Sequence, residues 1–427
     1  MSRQGIVRQQ MLPPQPPPTA ETGVLHWLHR NLFSGPLNIA LTLLSVLIVW
    51  QIVVHVGPWL AHPVWNASNL AQCREILQGA SGACFAVIRD RWHQLLFGFY
   101  PSDLYWRPVL TLVLMLVALA PILFSALPRR MLWVSGLYPA VAFWLLWGGA
   151  VWTPILAMAG FEIARRAFRL VADRSSLLAM ALAALAAILW WGWIMLPIAG
   201  LIETFAPLAL TSVPSRDFGG FMLSIIIGFS GIALSLPLGI LLALGRQSDM
   251  PLIRMVCVGF IEFVRGVPLI ALLFTASLLL NYFLPPGASF DIILRVVIMV
   301  TLFATAYMAE VIRGGLAALP RGQYEAADAL GLDYWKAQRL IIMPQALKIS
   351  IPGIVNTFIG LFKDTTLVVF IGLLDPIGLS NAIRADSNWN GIYWELFLFI
   401  GLCFFIFCFG MSRYSMYLER RLKTDHR

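Results

Sequence analysis

The sequence predicts an all-α integral membrane protein with about ten transmembrane helices. Of its 427 residues, 59% are hydrophobic and only 12% are charged, whereas soluble domains carry about 25% charged residues. The apolar runs are long and do not alternate with polar residues, which favours spanning helices over a membrane β-barrel. The net charge is +9, but the basic residues sit in short loops between apolar runs rather than on one face. That distribution is typical of membrane topology and argues against nucleic-acid binding.

The chain begins with a proline-rich tail. Residues 13–18 read PPQPPP, and few apolar residues precede Val24. We therefore expect a disordered tail over residues 1–36. No apolar stretch follows the start closely, so the tail does not resemble a cleavable signal peptide.

Apolar runs close to the ~20 residues that cross hydrocarbon mark the expected spans. In the first half they cover about residues 37–56, 108–127, 132–149 and 177–199, with a shorter run at 151–163 that arginines follow at once. In the second half they cover about residues 220–244, 266–284, 292–312, 351–373 and 391–411.

The five cysteines fall into two groups. Cys73 and Cys84 lie eleven residues apart in the mixed segment 57–107; they are either a disulfide, which requires the oxidising side of the membrane, or two free thiols. Cys257, Cys403 and Cys408 lie in or beside apolar helices and are interpreted as small hydrophobic residues.

Residues for catalysis or metal binding are sparse. The six histidines lie in the tails, the first span or the loop after it, and none has helical metal-ligand spacing inside a span. The sequence contains no G-x-x-x-x-G-K-[ST] nucleotide-binding loop. We expect a chain that is not an enzyme and holds no metal.

The least apolar stretch of the second half runs from residue 313 to 350, and its centre reads QYEAADALGLDYWKAQRLIIMPQAL. Glu325-Ala326-Ala327 are strong helix formers, and Gly331 is placed to end that first short helix. A second amphipathic segment follows from Tyr334, and Pro344 is expected to interrupt it. The pattern predicts two short helices that meet at a glycine turn on a membrane surface.

This spacing resembles the cytoplasmic coupling loop of ABC-importer permeases. E-A-A, three residues, glycine, nine residues, isoleucine, one residue, a hydrophobic residue and proline all occur in order. The strings IEFVRGVPLI, AYMAEVIRGG, MPQAL and FKDTTLV narrow the resemblance to the polar amino-acid, histidine/glutamine-type branch, over roughly residues 219–417. GACFAVIRDRW, YPAVAFWLLWGG and MSRYSMYLERRL resemble the larger permease subunit of general L-amino-acid importers.

The resemblance implies a division of the chain into segments. After the tail, residues 37–218 form a membrane extension with a periplasmic loop at about 57–107. Residues 219–417 form a five-helix permease core with the coupling loop at 313–350, and residues 418–427 form a second tail. Residues 151–206 do not match the family pattern and are interpreted as an inserted hairpin of helices.

The resemblance also implies a function and partners. The chain is expected to be a permease subunit of a binding-protein-dependent importer that carries L-amino acids across the bacterial inner membrane. It would bind no cofactor, because ATP and Mg²⁺ belong to a separate dimer of ATP-binding subunits. Its other partners would be a second, related permease subunit, a periplasmic amino-acid-binding protein and membrane lipid. The residues expected to couple it to the ATPase are Tyr324, Glu325, Ala326, Ala327, Leu330, Gly331, Leu332, Trp335 and Pro344.

Placing the coupling loop in the cytoplasm sets the orientation. The five core spans then start outside and end inside, where the basic C-terminal segment belongs. The arginine-rich segment 165–174 also falls inside, which requires the run 151–163 to return as a short span or a re-entrant piece. Ten crossings leave both termini in the cytoplasm and the loop 57–107 outside, on the side that permits a disulfide.

Charged residues inside the expected spans are functional hypotheses by default. Lys363, Asp364, Thr365 and Thr366 lie in the span 351–373, and an amino acid needs partners for both its carboxylate and its ammonium group. They are either part of the substrate path, which the family resemblance favours, or a Lys–Asp pair that braces two helices. Two further pairs, Glu262 with Arg265 and Glu310 with Arg313, are three residues apart and are expected to form local ion pairs at the inner gate or loop base.

Two alternatives from other classes remain at this point. An ion-coupled secondary transporter or channel would need no ATPase and would usually show internal repeats. A membrane scaffold would use the polar loop to recruit a soluble enzyme.

Overall fold

The computed structural model describes residues 23–124, 126–279 and 291–422. In these ranges the chain is almost entirely helical, and its one sheet has two short strands. The chain divides into two compact units, residues 1–86 and 87–427.

The first unit contains three helices and a disulfide. The helices are α1 (Val24–Leu32), α2 (Pro36–Ala61) and α3 (Leu70–Leu77). α1 lies where a disordered tail is expected, because its apolar residues recur at helical spacing; residues 1–22 lie outside the described part. Cys73 and Cys84 are joined as a disulfide with their Cα atoms 6.0 Å apart.

The second unit begins with α4 (Ala86–Phe97), α5 (Trp106–Leu123) and α6 (Leu132–Trp147). α5 and α6 pack side by side, and Ser135 Oγ donates to the carbonyl of Ala118 at 2.6 Å. The buried Arg107 donates to the carbonyl of Thr211 at 2.7 Å and so anchors the start of α5 to a segment a hundred residues later.

The insertion predicted at 151–206 is a packed helical hairpin. It consists of α7 (Trp152–Val171), α8 (Ser176–Leu189), a π-turn (Trp190–Ile194) and α9 (Met195–Phe205). Trp190 and Trp191 donate their indole N–H groups to carbonyls of α7 at 2.8 and 3.0 Å. Gly160 permits this contact, since a Cβ there would lie 2.5 Å from the Trp191 ring.

A two-stranded antiparallel ladder closes the neck of this hairpin. β1 (Gly149–Ala150) pairs with β2 (Ala209–Leu210). Trp152 Nε1 adds a bond to the carbonyl of Ala206 at 2.9 Å. The two ends of the insertion therefore meet at one point.

The permease-like half is built from nine helices within the described residues: α10 (Gly220–Arg246), α11 (Pro251–Gly266), α12 (Leu269–Leu279), α13 (Ile292–Ala317), α14 (Arg321–Ala329), α15 (Tyr334–Ala337), α16 (Met343–Asp364), α17 (Pro376–Ala385) and α18 (Trp394–Leu422). α13 lies at the centre, in contact with α10, α11, α12 and α16. Two buried apolar clusters run along it, one around Val296 and Val300 and the other around Met308 and Ile312.

Seven helical stretches of the described chain are long and apolar enough to cross a membrane, or eight if α11 and α12, which are bent by 103° at their junction, count as one span. Two of the ten expected spans fall short by this measure. The run 132–149 is α6, with only 16 residues, and the run 151–163 belongs to α7, whose 20 residues include four charges. The expected span 266–284 continues into residues 280–290, outside the described part.

Candidate coupling surface and substrate path

Gly331 ends the first coupling helix by adopting a left-handed conformation. Its φ is +68°, and its N–H bonds the carbonyl of Asp328 at 2.9 Å while Leu332 N–H bonds Ala327 at 3.2 Å. Glycine is favoured at such a C-terminal cap because it has no Cβ to clash. Asp333 then caps α15 by accepting from Lys336 N–H at 3.0 Å. These local bonds fix the angle between the two short helices.

Several large apolar side chains around this turn are exposed. Leu330 is 72% exposed, Trp335 64% and Tyr334 51%, and Glu325 and Ala326 are also exposed. We call these five residues the coupling surface. Apolar side chains of this size on a polar loop indicate a surface that a partner covers.

Not every residue predicted for coupling lies on this surface. Ala327 is only 1% exposed and so does not lie on the coupling surface. Its small side chain instead lets α14 pack closely on the rest of the chain. Tyr324 and Leu332 are half-buried, and Tyr324 packs against the apolar cluster around Met308. These residues anchor the buried side of α14 to the rest of the chain.

Pro344 does not interrupt the second coupling helix, contrary to the sequence prediction. The helix continues from Tyr334 to Asp364, with a π-turn at Gln338–Ile342 just before the proline. Proline lacks an N–H and crowds the preceding turn, and the wider π-turn accommodates it. Gln345 Nε2 also donates to Gln323 Oε1 at 2.9 Å and ties α16 to α14.

The stretch Lys363–Thr366 lies where α16 changes into a 3-10 helix. α16 ends at Asp364 and the 3-10 helix covers Thr365–Ile371. Thr365 is fully buried and its hydroxyl bonds the carbonyl of Phe362 at 2.8 Å, whereas Lys363 is exposed and Asp364 half-buried. Phe362 packs between α10 and α18, with Phe221 and Phe404 as ring partners. One face of the segment is thus anchored, and the face with the charges is open.

The alternative interpretation of Lys363 and Asp364 was an ion pair that braces two helices. Within the described ranges, neither forms a salt bridge with the other or with a third residue. Gly228 of α10 lets the anchored face of this segment pack closely against α10, since a Cβ at Gly228 would lie 2.7 Å from the Phe362 ring. Lys363 and Asp364 thus interact electrostatically without a salt bridge among the described residues, and charge in a candidate span is costly unless a partner compensates it.

Glu310 forms the centre of an ion cluster at the ends of the core helices. Its carboxylate, 16% exposed, bonds Arg246, lies 3.0 Å from Arg313 Nε and 3.7 Å from Arg265. The predicted Glu310–Arg313 contact is thus present. Glu262, by contrast, bonds Arg246 at 3.1 Å and not Arg265, because α11 turns the two side chains towards different neighbours.

Sequence reasoning missed Arg246. It lies 64 residues before Glu310, and no local spacing connects them. It is nevertheless the last residue of a long apolar run, and a basic residue at that position was the sequence feature that could have identified it. Among the described residues, no group of three His, Cys, Asp or Glu is placed to hold a metal ion.

Comparison with known proteins extends over the whole chain. Residues 235–424 match the model of the family described as "Binding-protein-dependent transport system inner membrane component". The glutamate/glutamine/aspartate/asparagine transport system permease protein BztC of Rhodobacter capsulatus is 59% identical over all of this chain and all of its own length. The chain belongs to the permeases of amino-acid ABC importers.

Two further relatives fit this membership. The inner membrane amino-acid ABC transporter permease protein YhdY of Escherichia coli is 39% identical over 96% of both chains. The probable glutamine ABC transporter permease protein GlnP of Bacillus subtilis is 31% identical over 91% of its length but only 47% of this chain. The permease core lies in the C-terminal half, as the family match indicates.

Membership decides between the classes that the sequence left open. This permease is the non-catalytic, multi-pass inner-membrane component of a binding-protein-dependent amino-acid importer. It therefore works with an ATPase and a binding protein, and the ion-coupled transporter, channel and scaffold alternatives are excluded.

Proposed function

We propose that one continuous helix transmits the action of a separate ATPase dimer to the amino acid in transit. The helix that begins at Tyr334 carries Trp335 of the coupling surface near one end and Lys363 and Asp364 near the other. At about 1.5 Å per residue these positions are roughly 40 Å apart, a little more than a bilayer core. A rigid-body movement of the coupling surface therefore also moves the two charges.

The open charges suit a zwitterionic ligand. The Lys363 ammonium can pair with the α-carboxylate of an amino acid, and the Asp364 carboxylate with its α-ammonium group. Thr366 lies on the same side, but its hydroxyl already donates a hydrogen bond to the carbonyl of Lys363 at 2.9 Å. Because neither charge forms a salt bridge with another described residue, both remain able to bind a ligand's charged groups.

A proposal for the substrates rests on the relatives. BztC is described as a transporter of glutamate, glutamine, aspartate and asparagine. With 59% identity over the whole length, we propose the same acidic and amide side chains for this permease. A second, related permease subunit completes the translocation path, since one chain supplies only one coupling loop to an ATPase dimer.

We further propose ten crossings with both termini in the cytoplasm; the ladder at the neck of the insertion fits this topology because it requires an even number of crossings between β1 and β2. β1 follows α6, and β2 precedes α10 on the face where the core begins. In this topology α5 crosses away from that face and α6 crosses back to it. α7 then crosses away again, and α8 and α9 together form the span that returns. The Cys73–Cys84 disulfide lies on the periplasmic side in this arrangement.

Uptake by the reconstituted complex tests the proposal. The permease, its ATPase, the second permease and the binding protein are placed in proteoliposomes with ATP inside, and radiolabelled glutamate, glutamine, aspartate and asparagine are offered in turn. We expect uptake that requires internal ATP and is lost when Trp335→Glu removes ATPase association. ATP-independent uptake, or normal coupling in that variant, would contradict the proposed transmission.

A further inference from the structure

A basic cleft opens beside the ion cluster, at the ends of α10 and α13. It has a volume of about 520 Å³ and is lined by Arg246, Gln247, Arg254, Val258, Arg313 and Ala317. Half of the lining residues are thus arginines. Neither the amino-acid path nor the coupling surface uses this cleft.

Positive charge exceeds negative charge around the cleft. Glu310 is shared by three arginines, and Glu262 adds one bond to Arg246. Arg254 has no ion-pair partner among the described residues. With Arg265, which lies beside the cleft but does not line it, four arginines are near two carboxylates, and Arg254 forms no salt bridge with a described residue and can bind a further anion.

The cleft lies at the boundary of the apolar helices. Arg246 is the last residue of one candidate span, and Arg313 lies four residues before the end of another. The adjacent α11 bears exposed apolar side chains on either side of Arg254: Leu252 is 67% exposed, Met255 66% and Val256 60%. Cations next to exposed apolar surface match a ligand with a negative head and apolar chains.

We propose that this cleft binds the phosphate headgroup of an anionic phospholipid of the inner leaflet. The headgroup phosphate lies between Arg254 and Arg313, and the acyl chains lie along the apolar side of α11. Guanidinium groups suit this role because they bind phosphate oxygens through two parallel N–H bonds. The proposal rests on the orientation given above, which places the ends of α10 and α13 in the cytoplasmic leaflet.

The apolar neighbours favour lipid over the other anions that could enter. Free phosphate would use the arginines but leave Leu252 and Met255 uncovered. An acidic side chain of the ATPase would likewise pair with the arginines but leave the apolar side of α11 uncovered. An anionic lipid satisfies the charge and covers the apolar side of α11 at once.

The test compares two arginine variants of the complete transporter. The wild type, Arg254→Gln and the control Arg413→Gln are each placed in nanodiscs of phosphatidylethanolamine with increasing phosphatidylglycerol, and bound phosphatidylglycerol is counted by native mass spectrometry. Arg413 is an exposed arginine of α18 outside the cleft, so both variants lose one charge. Thermal unfolding of each variant checks that the fold is retained.

We expect Arg254→Gln to weaken the tightest phosphatidylglycerol site about five-fold, the effect of one basic residue near a membrane surface, while Arg413→Gln leaves it unchanged. Equal retention in both variants would overturn the proposal. So would displacement of the lipid by millimolar inorganic phosphate, which identifies a free-anion site. Weaker ATPase association in Arg254→Gln with unchanged lipid binding would instead assign the cleft to an acidic residue of the partner. If the wild type shows no ATP-driven uptake, the proposed function is refuted, while the number of bound phosphatidylglycerol molecules stays a separate result.

Discussion

The indole Nε1 of Trp389 donates to Asp90 Oδ2 at 2.9 Å and so joins residues 299 positions apart. A second link, between Arg91 and Asp386 at 2.9 Å, lies beside it. Together they tie α4 to the turn between α17 and α18. A helix from the first part of the chain thereby holds a loop of the permease core.

We expect Asp90→Ala to lower the stability of the second unit. Trp389 is completely buried, so its N–H would lose its acceptor without gaining water. Such a loss costs about 1–2 kcal/mol. Thermal unfolding in detergent measures it, with Asp103→Ala, an exposed carboxylate in the turn before α5, as the control. An unchanged midpoint for Asp90→Ala would show that the link contributes nothing to stability.

Substitution of Gly331 should uncouple transport from ATP hydrolysis. Its positive φ strains any other residue, by about 1 kcal/mol for alanine and far more for proline. We expect Gly331→Pro to abolish uptake and weaken ATPase co-purification, with membrane insertion intact. Glu325→Lys should do the same by reversing a charge on the coupling surface.

Gly322→Ala is the matched control for Gly331. It lies on α14, the helix that Gly331 ends, in open space and without a positive φ, so a methyl group there meets nothing. Uptake at the wild-type rate in both Gly331→Pro and Glu325→Lys would refute the coupling role.

Neutralising Asp364 should impair transport but not assembly. Asp364→Asn removes the proposed partner of the substrate's ammonium group while retaining size and shape. Because the aspartate bonds no described cation, its loss leaves no buried charge uncompensated. We expect a lower maximal uptake rate with normal ATPase co-purification. Unchanged transport kinetics would remove Asp364 from the substrate path.

Glu310 and Glu262 should differ sharply in their effect on stability. Glu310→Gln removes the shared partner of three arginines in a largely buried place, and we expect it to cost roughly 2–3 kcal/mol. Glu262 is 55% exposed and bonds one arginine, so Glu262→Gln should cost less than about 1 kcal/mol. Unfolding midpoints of the two variants, measured in parallel, check this order. Equal losses would mean that Glu310 is not the centre of the cluster.

Asp375 should make stability depend on pH. It lies outside the candidate spans, and burial raises its pKa to about 6, although the N–H groups of Ile377 and Gly378 counteract this. The unfolded carboxyl titrates near pH 4, so the folded state binds the extra proton between these values. The contribution of Asp375 to stability is therefore fully present below about pH 4 and is lost as the pH rises to about 6.

The variant Asp375→Asn isolates this effect. Asparagine also caps helices, so α17 should keep its start. We expect the unfolding midpoint of the wild type to fall between pH 4 and 7 by more than that of the variant. Identical pH profiles would assign the dependence to other groups.

Local features of the fold were predictable from the sequence, and long-range ones were not. The run of apolar residues and the string around Glu325 predicted helical spans and a glycine turn, since each depends on neighbouring residues. Pro344 misled the prediction because a π-turn absorbs a proline that would otherwise break a helix. α6 and α7 fall short of a candidate span because α6 is too short and α7 too charged, although apolar runs predicted a span at each.

The candidate site shows the same division. Lys363 and Asp364 were identifiable because charge is rare in an apolar run, but the lack of a salt bridge to either among the described residues depends on side-chain positions that only the fold sets. Arg246 and its contact with Glu310 could not be derived, since the pair joins the ends of two different helices. Ala327 is buried while Ala326 is exposed, because the position of the helix axis, and not the composition, determines which face is covered.

Because β1 and β2 pair where the chain enters and leaves the α7–α9 hairpin, this hairpin forms a self-contained structural unit. Its entry and exit lie within one hydrogen-bonded ladder, so the register of the flanking helices is fixed independently of what the ladder encloses. Recombination could add, exchange or delete such a unit without retuning the transport machinery. The same junction offers engineers a place to insert a fluorescent reporter.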